Sequence, residues 1–494
     1  MSLAPAPKKP RTRLKTLGAV AIVIGLAAAA TATAGLLEVQ SFVDDLNTGQ
    51  KLALDKGVIS QVDVGDPQTI LLIGSDHRFR AGKNDARSDS MMVIRLDPDA
   101  QGTRVMNVPR DLKVTIPGYG TEKINAAYAY GGPNLTAKVI KQLLGIQINH
   151  IVNVNFTGFH QGVDFIGCVW TDIDRRYFND NSGAGYGGGY AAINIAAGYQ
   201  KLCGSQALDY VRFRHMDTDI VRNARQQDFL RQARQQYGAQ KAMSDRHKLA
   251  QIFSKYAQSD SQLHSVDALL KLLNLVAFSG QKPVVSIPFP AILPNSSKDP
   301  YVTANPAELR AAVRKLVGPD IAKGGRKAQQ QKAAAPTHAT GVGAAPVFVN
   351  KDGARQQAAP LKGLGMPVLL PTVIPNGSRY MGPEQGKYPR AYLLRGSDGK
   401  KHVAYRVVGT TSGTGQFWGI QGTTWMDPPL LSQPTAQKKL RNGRTLLLFG
   451  DGKRLRFVGF KTKNGSYWVS NTLTEDLSSK TMIKMAASLV PFAR

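Results

Sequence analysis

The sequence predicts an α/β fold in two folded units, a layered α/β domain followed by a smaller α+β domain. Strand-like apolar runs alternate with helix-period segments in the first, longer part of the chain. A stretch without acidic or aromatic residues, 323–346, then interrupts this pattern. After it, short apolar runs are joined by turn dipeptides, which is typical of an antiparallel sheet.

The amino terminus carries several Lys and Arg residues and no acidic residue before a long uncharged run, 17–37. At about 1.5 Å per residue this run reaches roughly 30 Å, enough to cross the hydrocarbon core of a bilayer. The pattern predicts a basic cytoplasmic tail (1–16), a transmembrane anchor (17–37) and an extracytoplasmic connector (38–64). The alternative is a cleaved signal peptide with Ala-x-Ala sites ending at Ala32 or Ala34. Either interpretation exports the remainder, and the first predicts a single-pass protein of the cell membrane.

The charge of the chain predicts a polyanionic partner. Lys and Arg outnumber Asp and Glu by 63 to 34, which gives a net charge of +29. Nucleic acid, anionic lipid and phosphate-bearing polymers would all suit this charge. Export removes access to DNA, and the sequence has no helix-turn-helix signature, so no nucleic-acid partner is expected.

Cys168 and Cys203 are the two cysteines of the chain. No histidine accompanies them at metal-ligand spacing, which argues against a zinc site. In an oxidising compartment such a pair is often a structural disulfide, and that is the prediction here. Two unpaired buried thiols are the alternative.

The first domain is predicted to span 65–318. Its strands are short apolar or β-branched runs bounded by turn residues: 68–76, 90–98, 103–109, 150–156, 168–173 and 282–290. Its helices follow a 3.6-residue apolar period with capping residues at their ends: 135–144, a helix opened by Thr157, 265–278 and 305–318.

A flexible linker (319–370) and a C-terminal α+β domain (371–494) are predicted to follow. The domain should contain hairpins at its Asp-Gly and Asn-Gly dipeptides: Asp398-Gly399, Asp451-Gly452 and Asn464-Gly465. An amphipathic helix within 477–490 should close the chain. The domain also holds three tryptophans, Trp418, Trp425 and Trp468. They could form a sugar-stacking surface, but a role in a small core is favoured.

Two carboxylates and several cations are candidate site residues. Asp76 follows one predicted strand and Asp89 precedes the next, so both can lie at one end of a sheet and hold magnesium together with a substrate phosphate. Arg110, with Asp111 beside it and Lys123 following, lies at the end of another strand. A single aspartate after a strand is more often a turn residue, which is the alternative for Asp76.

The stretch YVRFRHMDTDIVRNARQQ, 210–227, concentrates further positive charge. Arg212 and Arg214 share one face if Val211 and Phe213 pack inward on a strand. Arg222 and Gln226, four residues apart, share one face of a helix. Guanidinium groups bind phosphate bidentately and keep their charge. The alternative for any one arginine is a solvated, salt-bridged surface.

Taken together, these segments resemble the LytR-CpsA-Psr (LCP) family of extracytoplasmic phosphotransferases. The motifs that carry the resemblance occur in the family's order across about 68–236: GSD at 74–76, RSDSMMV at 87–93, VPRD at 108–111, IPGYG and KINAAYAYGG within 116–132, and the stretch 210–227. The resemblance implies an α/β/α catalytic domain with a mixed sheet. It also implies transfer of a phosphorylated glycopolymer from a polyprenyl pyrophosphate carrier to a sugar hydroxyl of peptidoglycan.

The resemblance also implies roles for the candidate residues. Asp76 and Asp89 would hold Mg²⁺ (or Mn²⁺), and Asp89 or Asp111 would be the general base. The pyrophosphate would be bound by Arg110, Lys123, Arg212, Arg214, Arg222 and Gln226. The expected partners are the lipid-linked glycopolymer, peptidoglycan and membrane lipid.

A lipid tunnel between the sheet and its helices is a further implication of the family, with 126–130, 139–146 and 269–278 as candidate linings. Ordinary core packing would use the same apolar residues. Two other functions remain open from the sequence: a lipid pyrophosphatase that uses water as acceptor, and a non-catalytic binder of anionic wall polymer.

Overall fold

The structure is a computed structural model. The residues that it describes are 41, 44, 49–63, 66–76, 87–100, 103–182, 191–213, 217–238, 241, 244–265, 284–294, 301–318, 347–411, 415–450 and 454–493. The predicted cytoplasmic tail and anchor, the helix predicted at 265–278 from Val266 onward, and the Asp451-Gly452 turn lie outside these residues. Within the described part of the chain, no helix combines the length and apolar character needed to cross a membrane.

The first unit is built on a seven-stranded mixed sheet in the order β1-β12-β7-β2-β3-β4-β13. The pairs β1/β12, β2/β7 and β4/β13 are parallel, and the other neighbours are antiparallel. The strands of this unit in chain order are β1 (Gln50–Lys51), β2 (Gln68–Asp76), β3 (Arg87–Leu96), β4 (Thr103–Asn107), β5 (Lys113–Ile116), β6 (Gly120–Lys123), β7 (His150–Asn155), β8 (Val169–Ile173), β9 (Tyr177–Asn179), β10 (Ile193–Ile195), β11 (Gly198–Leu202), β12 (Ala257–Ser259), β13 (Val284–Ser286), β14 (Ala291–Ile292) and β15 (Thr303–Ala304).

Helices cover both faces of this sheet and complete the predicted α/β/α layers. They are α1 (Ala126–Leu144), α2 (Phe156–Phe165), α3 (Gly204–Arg212), α4 (Asp219–Tyr237), α5 (Arg246–Tyr256) and α6 (Pro306–Val317). On one face, Leu71 and Ile73 of β2 pack with Ile140 of α1 and Leu316 of α6 in the main core. Side chains alternate along a strand, so Leu72 faces the opposite side, towards α2, α3 and α4.

Cys168 and Cys203 are joined by a disulfide, with the sulfur atoms 2.08 Å apart. Cys168 precedes β8 and Cys203 precedes α3, so the bond ties the β8/β11 pair to the start of that helix. Asp164 lies beside the two sulfur atoms, but bonded cysteines are not available as metal ligands.

The second unit contains an eight-stranded antiparallel sheet, β19-β21-β22-β26-β25-β24-β23 with β20 on β21, and two further strand pairs, β16/β18 and β17/β27. Its strands are β16 (Val347–Val349), β17 (Val368–Pro371), β18 (Val373–Pro375), β19 (Ser378–Tyr380), β20 (Arg390–Arg395), β21 (Lys401–Thr411), β22 (Phe417–Thr423), β23 (Ala436–Lys439), β24 (Thr445–Phe449), β25 (Phe457–Thr462), β26 (Gly465–Ser470) and β27 (Leu489–Ala493). Its helices are α7 (Lys351–Ala358) and α8 (Ser479–Ala487), the latter capped by Ser478. The α+β prediction is confirmed.

The two units share a buried interface. Trp170 and Tyr199 of the first unit pack in one apolar cluster with Trp425 and Trp468 of the second. Trp418 is buried in the second unit's own core. The tryptophans are therefore packing residues, as the sequence favoured, and they offer no exposed surface for stacking a sugar.

The predicted unit boundaries need two corrections. Strand β1 lies inside the predicted connector (38–64), where it pairs with β12 at the edge of the first sheet. Strand β16, helix α7 and β17 lie inside the predicted linker (319–370). Ala354 and Ala358 of α7 are buried in the second core, so the folded second unit begins before residue 371.

Candidate active site

The two predicted metal-binding aspartates belong to the same end of the β2/β3 pair. Asp76 is the last residue of β2, and its register partner is Arg87, the first residue of β3. The register shifts between Gly74 and Ser75, which leaves Asp89 as the extra residue of a bulge between Ser88 and Ser90. Asp89 is thus within β3, not before it as predicted, and Asp76 ends β2, so both residues are at the expected end of the sheet. Their side chains lie outside what the structure describes.

Gly74 allows the two strands to approach closely at this point. A Cβ atom at Gly74 would lie 3.2 Å from the Cβ of Ser90 on the facing strand. Ser90 in turn donates a hydrogen bond through its Oγ to Gln226 Oε1 of α4, at 3.0 Å. The bulge, the close strand pair and the helix therefore meet at one place.

Arg110 reaches the same end of the sheet from β4. The Val108 amide donates to Met91 O at 2.8 Å, so the chain after β4 continues alongside β3 in the direction of Asp89. The Arg110 carbonyl accepts the Asn125 amide at 3.1 Å, which holds the VPRD turn against the start of α1. Only 9% of Arg110 is exposed.

Asp111 lies between two cations. Its Oδ2 is 3.6 Å from Nε of Arg110, and its Oδ1 is 3.0 Å from Nζ of Lys123 at the end of β6. Burial alone would raise the pKa of Asp111, but the charges of Arg110, Lys123 and Arg222 outweigh it and lower that pKa below its ordinary value. A carboxylate held in this way stays ionised and is a weak base.

Helix α4 supplies Arg222 and Gln226, as predicted. Thr218 caps the helix by accepting a hydrogen bond from the Val221 amide. Arg222 is buried, and its charge contributes to the lowered pKa of Asp111. The Asn107 amide group of β4 donates to the Asn223 carbonyl at 3.2 Å, which fixes the first turns of α4 to the sheet.

Arg212 and Arg214 were expected on one face on the condition that Val211 and Phe213 lie on a strand, and this condition is not met at 210–212. These residues are the last turn of α3, which runs from Gly204 to Arg212. Ala207, Tyr210 and Val211 are buried with helical spacing on one side of α3. Arg212 is close to the site, but its Nη2 pairs with Asp209 of the same helix at 2.5 Å. Arg214 lies outside the described residues.

An apolar cavity of about 170 Å³ lies between the sheet and α2, α3 and α4. Its lining combines apolar residues, including Leu72, Phe159 and Leu230, with the polar residues Arg212, Arg222 and Gln226. An apolar space with cationic residues in its wall can hold a hydrocarbon chain that ends in an anionic group.

This cavity is not lined by the segments that the sequence singled out. Val139 and Ile140 of α1 pack in the core on the opposite face of the sheet, and 269–278 lies outside the described residues. The residues that sequence reasoning missed include Phe156 and Phe159 of α2 and Ser90 of β3. The three-residue spacing of the two phenylalanines was an available signal.

The donor set at this end of the sheet suits a hard divalent cation. Carboxylate oxygens are the ligands that Mg²⁺ and Mn²⁺ prefer, and the strand register brings Asp76 and Asp89 to one end of the β2/β3 pair. Together with the cations around Asp111, this arrangement can neutralise the charge of a diphosphate.

Comparison with known proteins agrees with these features. The model of the LytR_cpsA_psr family matches residues 37–306, more than half of the 494 residues. The polyisoprenyl-teichoic acid–peptidoglycan teichoic acid transferase TagT of Bacillus subtilis is 31% identical over 239 residues, which cover 45% of this chain and 71% of that protein. The corresponding transferase TagU of Oceanobacillus iheyensis is 30% identical over 213 residues, 42% of this chain and 62% of its own length.

Solved structures with similar chains include TagT bound to LI-WTA, at 26% identity and a TM-score of 0.43, over 54% of this chain and 97% of that one. They also include the LytR-CPS2A-psr family protein YwtF (TagT) with bound octaprenyl pyrophosphate lipid, at 24% identity and a TM-score of 0.40, with the same coverage. The whole second unit, which begins at Val347 of β16, lies beyond the family match, which ends at residue 306. On the extent of that match, the chain belongs to the LytR-CpsA-Psr family.

Proposed function

We propose that this chain is a membrane-anchored, extracytoplasmic phosphotransferase that moves a phosphorylated glycopolymer from a polyprenyl pyrophosphate carrier to a sugar hydroxyl of peptidoglycan. The observation that carries the proposal is that an apolar cavity adjoins the cationic residues around Asp111. Arg212, Arg222 and Gln226 line an apolar cavity, and Arg110 and Lys123 surround Asp111 next to Arg222. This arrangement suits a diphosphate whose attached hydrocarbon chain enters the apolar cavity.

The chemistry follows from the charges. The acceptor oxygen forms a bond to the phosphorus that carries the glycopolymer, and the bond from that phosphorus to the bridging oxygen breaks. Polyprenyl phosphate leaves with the electron pair of that bond. Arg110, Arg222 and Lys123 bind the phosphate oxygens and stabilise the negative charge that gathers on the leaving group. Mg²⁺ or Mn²⁺ held by Asp76 and Asp89 would supply further neutralisation.

The proton of the acceptor hydroxyl requires a base. Asp111 is a poor candidate, because Arg110 and Lys123 hold it as an ion pair and lower its pKa. We assign it the role of orienting those two cations. Asp89, in the bulge of β3 beside the serine that contacts Gln226, is the better candidate for the base.

The location of the protein is part of the proposal. The basic tail and the uncharged run at 17–37 support a single anchor with the folded units outside the membrane. A disulfide between Cys168 and Cys203 suits an oxidising compartment. TagT and TagU are named for transfer of teichoic acid to peptidoglycan, which supports the same class of donor and acceptor for this chain.

The test is release of polyprenyl phosphate from a synthetic polyprenyl pyrophosphate oligosaccharide, with magnesium, in the presence and absence of a peptidoglycan acceptor. Wild type should form an acceptor-linked product. Arg110→Ala and Asp89→Ala should form little of it. Arg310→Ala removes one exposed positive charge from α6, in the layer on the other face of the sheet, and should leave the rate unchanged.

The other functions give different results in the same assay. Magnesium-dependent release of polyprenyl phosphate without acceptor-linked product would identify a lipid pyrophosphatase. Absence of turnover, together with polymer binding that survives Arg110→Ala and Asp89→Ala, would identify a non-catalytic binder and contradict the proposal.

A further inference from the structure

A second cavity, of about 430 Å³, lies at the same end of the sheet as the candidate active site. It adjoins Ser75, the residue before Asp76, and Asn153 of β7. Their strand neighbours Gly74 and Val154 line the apolar cavity instead. Because successive side chains point to opposite faces of a sheet, the two cavities lie on opposite faces. Asn155, at the end of β7, lines both of them.

The wall of this second cavity is a chain of hydrogen-bonded polar side chains. Asn153 Nδ2 donates to the Tyr128 hydroxyl and to Gln258 Oε1, both at 3.0 Å. Gln258 Nε2 donates to Gln50 Oε1 at 2.8 Å. These residues come from α1, β7, β12 and β1, so the chain is assembled by the fold and not by a single loop.

One buried acceptor atom of this hydrogen-bond network receives no hydrogen bond from the described residues. Asn153 is 5% exposed, both hydrogens of its Nδ2 are used, and its Oδ1 accepts no hydrogen bond within the described part of the protein. A buried acceptor in this state carries the cost of its lost hydration. A ligand that brings a hydroxyl group would remove that cost. If the amide is turned round, the free atom becomes Nδ2, which the same hydroxyl satisfies by accepting.

We propose that the second cavity binds a hydroxyl-rich sugar ring beside the phosphoryl-transfer site. Amide groups and phenols match sugar hydroxyls, which both donate and accept, and the faces of Tyr128 and Tyr256 suit the apolar faces of a pyranose. The volume is within the usual range for small-molecule sites, about 300–1,000 Å³. This inference rests on the proposed function, which requires a sugar on each side of the reacting phosphate.

Two sources of the sugar share this chemistry: the peptidoglycan acceptor and the first sugar of the lipid-linked polymer. The steady-state kinetics of the full-length protein separate them. Tyr128→Phe removes one hydroxyl that bonds to Asn153, and Asn153→Leu removes the amide altogether. If the acceptor occupies the cavity, both substitutions should raise KM for the acceptor roughly tenfold or more and leave KM for the donor unchanged. If the donor sugar occupies it, the donor KM should rise instead.

Asn149→Leu is the matched control. Asn149 is also a buried asparagine and lies directly before β7 of the same sheet. Its side chain, however, is hydrogen-bonded to the Thr69 amide and the Ser60 carbonyl. Its replacement should destabilise the fold and leave both KM values unchanged. Unchanged KM values for donor and acceptor in folded Tyr128→Phe and Asn153→Leu would overturn the sugar assignment.

A direct binding measurement keeps this inference separate from the proposed function. Calorimetry with a soluble β-1,4-linked N-acetylglucosamine tetrasaccharide probes an acceptor-like sugar without turnover. Binding to wild type that is weakened roughly tenfold in Tyr128→Phe supports the cavity even if no transfer is detected. Binding that Tyr128→Phe leaves unchanged would place the acceptor sugar elsewhere, and together with an unchanged donor KM it would contradict the inference.

Discussion

Two groups of arginines, one between the units and one at the active-site end of the sheet, differ in how their charge is balanced. At the interface two buried guanidinium groups, those of Arg406 and Arg456, each lie against a carboxylate of the first unit. Arg406 Nη1 lies 3.0 Å from Asp172 Oδ1, and Arg456 Nε lies 3.0 Å from Asp228 Oδ1. All four side chains are at most 2% exposed. Charges buried so deeply are tolerated when they are paired, so these arginines serve the fold.

At the active-site end one carboxylate, that of Asp111, lies close to several cations. Asp111 has Arg110 and Lys123 beside it, and Arg222 also lowers its pKa. Lys123 and Asp111 keep 29% and 22% of their side-chain surface exposed. Charged groups that keep contact with solvent, such as Lys123 and Asp111, are accessible to an anionic ligand, whereas a sealed pair is not. Positive charge therefore serves at least two purposes in this chain: it stabilises the interface between the units, and it is available to an anionic ligand at the active-site end. Lys123 and Asp111 differ from the interface pairs in that their side chains remain partly exposed.

Loss of one member of an interface pair should have the largest effect. Arg406→Met leaves Asp172 buried with two remaining donors, Trp468 Nε1 and Ser470 Oγ. Removal of one partner from a buried ion pair costs about 3–5 kcal/mol, so the free energy of unfolding should fall by that amount in urea titrations. Arg310→Met, at an exposed position, should change it by less than about 0.5 kcal/mol. Equal stability of the two variants would show that Asp172 does not depend on Arg406.

Substitution of an arginine at the active-site end should lower the transfer rate more than it lowers the free energy of unfolding. Arg222→Ala removes a cation from the wall of the apolar cavity and from the neighbourhood of Asp111. The transfer rate should fall about 100- to 1,000-fold, comparable to the loss of one transition-state donor elsewhere. Urea titration should show a smaller loss of stability than for Arg406→Met. A rate within threefold of wild type would exclude Arg222 from the reaction.

Much of the active-site end could be predicted from local sequence patterns, whereas the ion pairs between the two units could not. The strands β2 and β3 follow from β-branched runs with turn residues around them, and Arg222 and Gln226 follow from four-residue spacing on a helix. The YVRFR segment was misassigned because Val211 and Phe213 alternate as in a strand, while the helical spacing of Ala207, Tyr210 and Val211 begins earlier. Local periodicity cannot separate the two for so short a run.

The interface pairs lie beyond any local pattern. Asp172 and Arg406 are 234 residues apart, and Asp228 and Arg456 are 228 apart. A pairing over that distance is set by how the two units dock, which sequence periodicity does not encode. The second cavity could not be predicted from sequence for the same reason. The residues that form its hydrogen-bonded wall meet only in the folded sheet: Gln50, Tyr128, Asn153 and Gln258.

The Asp228–Arg456 pair should couple the second unit to the active site, because Asp228 is on α4 with Arg222 and Gln226. Arg456 contacts both carboxylate oxygens of Asp228, at 3.0 and 3.1 Å. Arg456→Lys keeps the charge but loses the bidentate contact with Asp228. The position of α4 should then be less well fixed, and kcat should fall several-fold. Unfolding free energy, kcat and KM would be measured together.

Arg406→Lys is the control for that coupling. It weakens the other buried pair, which ends on β8 and not on α4, and should lower stability to a similar extent while kcat stays near the wild-type value. If both variants lose kcat in proportion to stability, the second unit stabilises the protein without positioning the helix.

The smallest effect should be the pH dependence of Asp111. Because its pKa is lower in the folded protein than in the unfolded chain, its ion pairs contribute stability that is fully present above the unfolded value, about 3.9. That contribution should be lost as the pH falls below 3.9 through the folded pKa. In urea titrations, the free energy of unfolding of wild type should exceed that of Asp111→Asn by a constant amount from pH 5 to 7. This difference in free energy should shrink below pH 4. A difference that stays constant down to pH 3 would mean that Asp111 is held by hydrogen-bond geometry that the amide reproduces, and not by the charges of Arg110 and Lys123.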